Sequence, residues 1–220
     1  HDILIDSAND LISEEEPNYQ FVAAKLLNFK LRKDVWGGYS PPRLFDHIKD
    51  LVKLDLYDPS VKSSYTKEEI NKLGEYIKHD RDYLFTYSGL QQMVDKYLLK
   101  NRNTGVLYET PQFAYMLIAM VLFMDYGEDR IRRVKEAYDY FSTFKINLPT
   151  PVMAGVRTKI RQFASCVLVD VGDSLDSITS SVASVAKYTA RRAGIGLNFG
   201  RVRPLNSPIR GGEVIHTGII

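Results

Sequence analysis

The 220 residues include a single cysteine, Cys166. No internal disulfide can form, which fits a reducing, cytoplasmic compartment. Long apolar runs are also missing. The longest, residues 113–124, has 12 residues, and a bilayer needs roughly 20. No segment has the make-up of a signal peptide. Charge of one sign is not in excess: the formal net charge is +2, so there is no bulk electrostatic case for nucleic acid or a membrane surface. Nor is there an internal repeat or a low-complexity segment. With only four histidines and no cluster of them at ligand spacing, no metal site is expected.

The composition that remains is that of a globular protein, 45% hydrophobic and 25% charged, enough for one large domain or two small ones. Charge is unevenly placed. Residues 2–16 carry six acids and no Lys or Arg, while residues 187–220 carry six bases and one acid, Glu213. A basic stretch of that size suits a small anion better than a duplex.

The first part reads as helices. Tyr19, Val22, Ala23, Leu26 and Leu31 recur at helical spacing after Pro17. Gly37, Gly38, Pro41 and Pro42 break the chain. A helix follows from about Arg43, with Leu44, Ile48, Leu51 and Val52 on one face. Thr66 and Glu69 fit a capping box. Thr110 and Pro111 open the apolar run and Gly127 closes it; Ile131, Val134, Tyr138 and Phe141 mark the next helix. After Pro149-Thr150-Pro151 the texture changes. Residues 166–171 read as a buried strand, Ile178, Val182, Val185 and Thr189 as a helix, and residues 194–199 as a second strand. Strand, helix and strand within about 35 residues form a βαβ unit. Two strands cannot cover their own edges, so the unit reads as the opening of a larger α/β domain. Both ends of the sequence are read as cut: it starts at His1 within a helix and stops after a Gly-rich segment.

Taken one by one, the chemistry-bearing residues leave alternatives open. Cys166 is either a small apolar core side chain or a redox thiol, and a useful thiol needs a base or a second cysteine. Gly172-Asp173-Ser174 lies where the first strand turns into the helix. Ligands of open α/β sheets bind at such strand ends, and a helix N-terminus suits an anion; a lone Asp-Ser pair is more often a helix cap. Arg201, Arg203 and Arg210 flank Pro204-Leu-Asn-Ser-Pro208 before Gly211-Gly212. Such a flexible loop can wrap a polyphosphate, or be a solvated strand end. Gly194-Ile-Gly196 is only a fragment of a phosphate loop. His79-Asp80-Arg81-Asp82 reads as a salt-bridged surface, and Tyr83, Phe85 and Tyr87 as core.

Several longer motifs carry a resemblance. They are Thr143-Phe-Lys-Ile-Asn-Leu-Pro-Thr-Pro-Val-Met-Ala-Gly-Val-Arg-Thr158, Arg161-Gln-Phe-Ala-Ser-Cys166, Gly172-Asp-Ser-Leu-Asp-Ser177, Arg192-Ala-Gly-Ile-Gly-Leu-Asn198, Asn206-Ser-Pro-Ile-Arg-Gly-Gly-Glu213 and His216-Thr-Gly218. Upstream, Pro17-Asn-Tyr-Gln20, Leu31-Arg-Lys33, His79-Asp-Arg-Asp82, Lys96-Tyr-Leu98 and Tyr108-Glu-Thr-Pro-Gln-Phe113 belong with them. Across its whole length the chain resembles the large, catalytic (alpha) subunit of class Ia ribonucleotide reductase, most closely its bacterial and T4-like phage members.

The resemblance implies a mainly α N-terminal region, followed by the first β-α-β of a ten-stranded α/β barrel. Residues 1–33 match the second half of an ATP cone, 34–160 the helical domain and 161–220 the incomplete start of the barrel. It implies that Cys166 is one of the two cysteines that reduce the ribose, with Thr150 and Ser165 as substrate contacts beside it. Asp173, Ser174 and Leu175 match the specificity site for a nucleoside triphosphate effector at the dimer interface, and Arg203 and Arg210 its phosphate contacts. Lys33 matches an ATP contact of the cone, whose basic first half is absent from the chain. The implied partners are a second chain with the rest of the barrel, a second large subunit, and a di-iron tyrosyl-radical small subunit in trans; thioredoxin or glutaredoxin is the implied reductant. The family's radical cysteine and the partner of Cys166 are not among these residues. The chain is therefore expected to be inactive by itself. The competing expectation is a non-catalytic regulatory fragment that binds effector without turnover.

Overall fold

Helix α7 (Pro111–Phe123) is apolar on every side, so no single face is marked for burial; every residue from Pro111 to Val121 is in fact buried. Pro111 opens it, where a missing N–H costs nothing. In the computed structural model, which describes residues 1–161, 163–191 and 193–218, the chain separates into two units, His1–Gln162 and Phe163–Ile220. Gln162 and Arg192, each part of a motif quoted above, lie outside the described residues.

The first unit is helical. Besides α7 it holds α1 (Asp2–Asp10), α2 (Tyr19–Trp36), α3 (Leu44–Lys53), α4 (Ser60–Ser63), α5 (Lys67–Tyr76), α6 (Tyr87–Gln92), α8 (Arg130–Ser142) and α9 (Thr150–Gly155). Helix α7 packs against α8, α4 and α9, and α2 against α1 and α6. Residue 33, where the cone was expected to end, lies within α2. That helix runs unbroken to Trp36 and stops at Gly37, whose φ of 69° a glycine accepts without strain. The capping box at Thr66 and Glu69 is formed, and Glu69 also pairs with Arg130 at the start of α8.

Two expectations for this unit need correction. Helix α2 buries Ala23, Ala24, Leu27, Asn28, Leu31 and Arg32, whereas Val22 is 44% exposed. Two polar residues therefore occupy the inner face, Asn28 and Arg32, and for Arg32 a partner waits there. That partner is the second correction. Asp82, expected on a salt-bridged surface, is buried in the short 3-10 helix His79–Leu84. It accepts from Arg32 at 3.3 Å and from the Gln112 amide at 3.0 Å, and Tyr138 donates to Gln112 at 2.7 Å. Burial pushes the Asp82 carboxyl up to about 6 and the His79 imidazole down to about 4. Elsewhere in that cluster the expectation holds: Arg81 pairs with Asp139 at 2.6 Å and Asp80 is exposed.

The second unit holds the expected βαβ. Strands β1 (Cys166–Asp170) and β2 (Gly194–Asn198) are parallel, with Cys166 opposite Gly194 and Asp170 opposite Asn198, and α10 (Leu175–Ala190) connects them. Helix α10 packs on one face of the strands. On the other face Cys166, Leu168 and Asp170 are exposed, Leu168 by 87%. A parallel sheet is normally covered on both faces. A hairpin that the sequence reading treated as a flexible loop follows: β3 (Pro208–Ile209) pairs antiparallel with β4 (Val214–Ile215).

Candidate effector and substrate residues

The turn from β1 into α10 is built by short polar side chains. Ser174 caps α10, its Oγ accepting from the Ser177 N–H at 3.1 Å. Ser177 Oγ in turn accepts from the Gly172 N–H at 2.8 Å. This approach requires glycine at 172, since a Cβ there would stand 2.8 Å from the Ser177 hydroxyl. The cap foreseen for Ser174 is formed, and the same geometry leaves Asp173 at the mouth of a sixteen-residue helix.

Asp173 is tied to the loop after β2. Its Oδ1 accepts from the Arg203 backbone N–H at 2.9 Å and its Oδ2 from Arg203 Nε at 2.8 Å. These bonds hold its carboxyl below the usual carboxylate range. Arg203 also reaches the Pro208 carbonyl at 3.3 Å, so one side chain joins the helix mouth to the hairpin. Arg210 is exposed in the hairpin turn, with φ at +51°, and Gly211 and Gly212 also have positive φ. Leu175 is 76% exposed beside Asp173. The fold thus brings Asp173, Ser174, Leu175 and Arg203 together and holds Arg210 in the adjoining hairpin. A carboxylate acceptor, free helix N–H groups and guanidinium donors can take a hydroxyl and an anion side by side.

The residues expected at the ribose divide between the units. Ser165 and Cys166 adjoin at the start of β1. Ser165 is half-buried, with its carbonyl accepting from the Gly194 N–H at 2.8 Å, and the free thiol of Cys166 is exposed. Thr150 is exposed at the first position of α9 in the first unit. Lys33 is exposed in the last turn of α2. Among the described residues no group of three or more His, Cys, Asp or Glu could hold a metal ion. Among the same residues no helix is long and apolar enough to cross a membrane.

What the sequence reading passed over is a buried ion pair behind Thr150. Arg157 and Glu109 both have fully buried side chains. Arg157 Nε lies 3.0 and 2.9 Å from the two carboxylate oxygens of Glu109, and Arg157 Nη2 also donates to Glu109. Tyr57 donates to Glu109 Oε2 at 2.7 Å, and His47 Nε2 lies 3.2 Å from the Tyr57 hydroxyl. Desolvation holds His47 near pKa 4 and raises the Tyr57 phenol, so His47 is neutral. Since the Tyr57 proton is given to Glu109, the His47 Nε2–H must be the donor in their contact. The signal was present: both charges sit in apolar surroundings, Glu109 just before the α7 run and Arg157 just after Val152-Met-Ala-Gly-Val156. Isolated charges in such stretches must pair.

Comparison with known proteins matches the two units to adjoining models of one family. Residues 83–161 match the ribonucleotide reductase all-alpha domain, and residues 164–220 match its barrel domain. Over 221 aligned positions, covering 100% of this chain, it is 51% identical to the ribonucleoside-diphosphate reductase 1 subunit alpha of Escherichia coli. It is 50% identical over the same span to the corresponding subunit of Haemophilus influenzae, and 51% identical over 218 residues to that of Enterobacteria phage T4. In each case the chain spans 29% of the relative's length. With consecutive domain models of one family on both units and half-identity along its whole length, the chain belongs to the ribonucleotide reductase large-subunit family.

Proposed function

We propose that this chain is part of the catalytic subunit of an oxidoreductase that converts ribonucleoside diphosphates to deoxyribonucleotides. The observation that carries the reading is the 51% identity, along the whole chain, to a subunit named for that reaction. In this reading Cys166 works with a second cysteine from outside these residues. The two thiols close to a disulfide and give up two electrons and two hydrogens; the ribose loses its 2′-hydroxyl as water and keeps a hydrogen in its place. Thr150 and Ser165 hold the substrate. Thioredoxin or glutaredoxin reopens the disulfide, and a separate di-iron small subunit supplies the radical. The chain alone is inactive.

The remaining assignments follow from the same reading. Residues 1–33 are the second half of an ATP cone, with Lys33 as a phosphate contact. The β1–α10–β2 unit opens a ten-stranded barrel completed by a second chain, and the exposed β1 face supports that need for cover. Asp173, Ser174, Leu175, Arg203 and Arg210 bind a nucleoside triphosphate effector. Leu175, Ile178 and Val182, all exposed on one side of α10, suit contact with a second large subunit. The alternative, a regulatory fragment that binds effector without turnover, is favoured only by the fact that the Asp173–Arg203 pair is formed within this chain while Cys166 has no second cysteine here.

The test uses the complete assembly of large and small subunits. Arg203→Ala should weaken dTTP binding roughly 10- to 150-fold, the loss of one charge-assisted contact of about 1.5–3 kcal/mol. The preference between GDP and CDP reduction should flatten with it. Cys166→Ser should end multiple turnover and leave dTTP affinity unchanged. Turnover by that variant at the parent rate would favour the regulatory reading.

A further inference from the structure

Helix α9 has six residues, too few to be stable on its own. Thr150 is its first residue, so the placement of the Thr150 side chain depends on whatever fixes the helix. Arg157, two residues beyond its end, provides that. Arg157 Nη1 donates back to the Met153 carbonyl at 2.5 Å, within α9 itself. Arg157 Nη2 donates to the Tyr97 carbonyl at 2.9 Å, at the end of the π-helical turn Met93–Tyr97. The Arg157 carbonyl accepts from the Asp58 N–H at 3.0 Å. Glu109 is fixed from the other side, by Tyr57 and by the Leu99 N–H at 2.7 Å. These hydrogen bonds run to three stretches of chain, at Tyr57–Asp58, Tyr97–Leu99 and Met153, and all but the Asp58 bond meet on one guanidinium and one carboxylate with no exposure to water.

Stability alone does not account for such a pair. Desolvating two charges is costly, and well-packed apolar residues often do as well or better. What the planar guanidinium adds is direction: its N–H groups fix α9, the turn at Tyr97 and Glu109 in one geometry. We infer that Arg157, held by Glu109, is a positioning residue for the substrate contact at Thr150. This rests on the reading of Thr150 given above and adds to it the element that sets where that hydroxyl stands. Misplacing a substrate-positioning group by about 1 Å can cost on the order of a hundredfold in rate.

The experiment uses the complete large subunit with its small subunit. It compares Arg157→Lys, Glu109→Gln and Thr150→Val for CDP kcat and KM, with dTTP affinity as the measure of an intact second unit. Lysine keeps the charge but cannot hold Glu109, Met153 and Tyr97 together. Arg157→Lys and Glu109→Gln are expected to raise the KM for CDP roughly tenfold or more, in the same direction as Thr150→Val, with dTTP affinity within about twofold of the parent. If Thr150→Val raises KM and neither pair variant does, the positioning role is overturned while the reading of Thr150 stands. If Thr150→Val changes nothing, both fall. Loss of dTTP binding together with CDP reduction in both pair variants would assign the pair to fold stability and overturn the proposal.

Discussion

The two units bury their polar groups in opposite ways. In the first, charged and aromatic side chains are drawn inside and paired: Arg157 with Glu109, and Arg32 with Asp82. In the second, the charged residues of interest, Asp173, Arg203 and Arg210, lie at the surface, and so do apolar ones such as Leu168 and Val182. The first unit has enough helices to surround α7 and therefore to shield ionic groups. In the second, α10 packs on one face of the two parallel strands, and the other face is exposed. Geometry in the first unit is thus fixed from within. In the second it is fixed by short caps and exposed ion pairs, and its apolar faces are left for something else to cover.

The comparison breaks most visibly if a partner is removed from a buried pair. Glu109→Ala leaves Arg157 buried without its counter-charge, and about 3–5 kcal/mol of unfolding free energy should be lost. Asp173→Asn disturbs an exposed pair, and the loss should be small beside that of Glu109→Ala. Denaturant titration of both variants decides the matter. Equal losses would mean that burial does not separate the two units.

A smaller effect should come from acid. His47 and His79 are held near pKa 4 against an ordinary 6.5. Their neutral forms support the fold above pH 6.5, and that support is lost as pH falls through 4, on the order of 3 kcal/mol each at about 1.4 kcal/mol per pKa unit. Asp82, raised to about 6, works the other way. Its contribution is present below its ordinary value and lost as pH rises through 6, so it partly offsets the histidines between pH 4 and 6. Unfolding free energies measured from pH 7 to pH 4 should fall, and His47→Gln should flatten the decline. A stability curve level across that range would remove the histidines from the account.

The smallest effect on the chain itself belongs to the exposed stripe of α10. Val182 is 66% exposed, so Val182→Asp should change unfolding free energy by no more than about 0.5 kcal/mol. In the complete large subunit the same change should weaken self-association, read by sedimentation. An unchanged dimer would show that the stripe is covered by another element.

Much of this could be read from residues in order, because local rules govern it. The Thr66–Glu69 capping box, the opening of α7 at Pro111, the break at Gly37 and the parallel βαβ all follow from short-range patterns, and all are formed. The cap at Ser174 was legible for the same reason. The hairpin holding Arg210 was not. Its strands have two residues each, too short for alternation to register against the glycines and prolines around them.

By itself the sequence determined the helical first part, the α/β opening and the family, since periodicity, caps and motif runs are properties of neighbouring residues. Only the tertiary structure decided that Asp82 faces Arg32 across 50 residues, that Glu109 and Arg157 meet across 48, and that Asp173 closes on Arg203 across 30. A charged side chain in an apolar stretch announces that it needs a partner. Which partner it finds depends on how helices and loops distant in sequence are packed, and no local pattern carries that information.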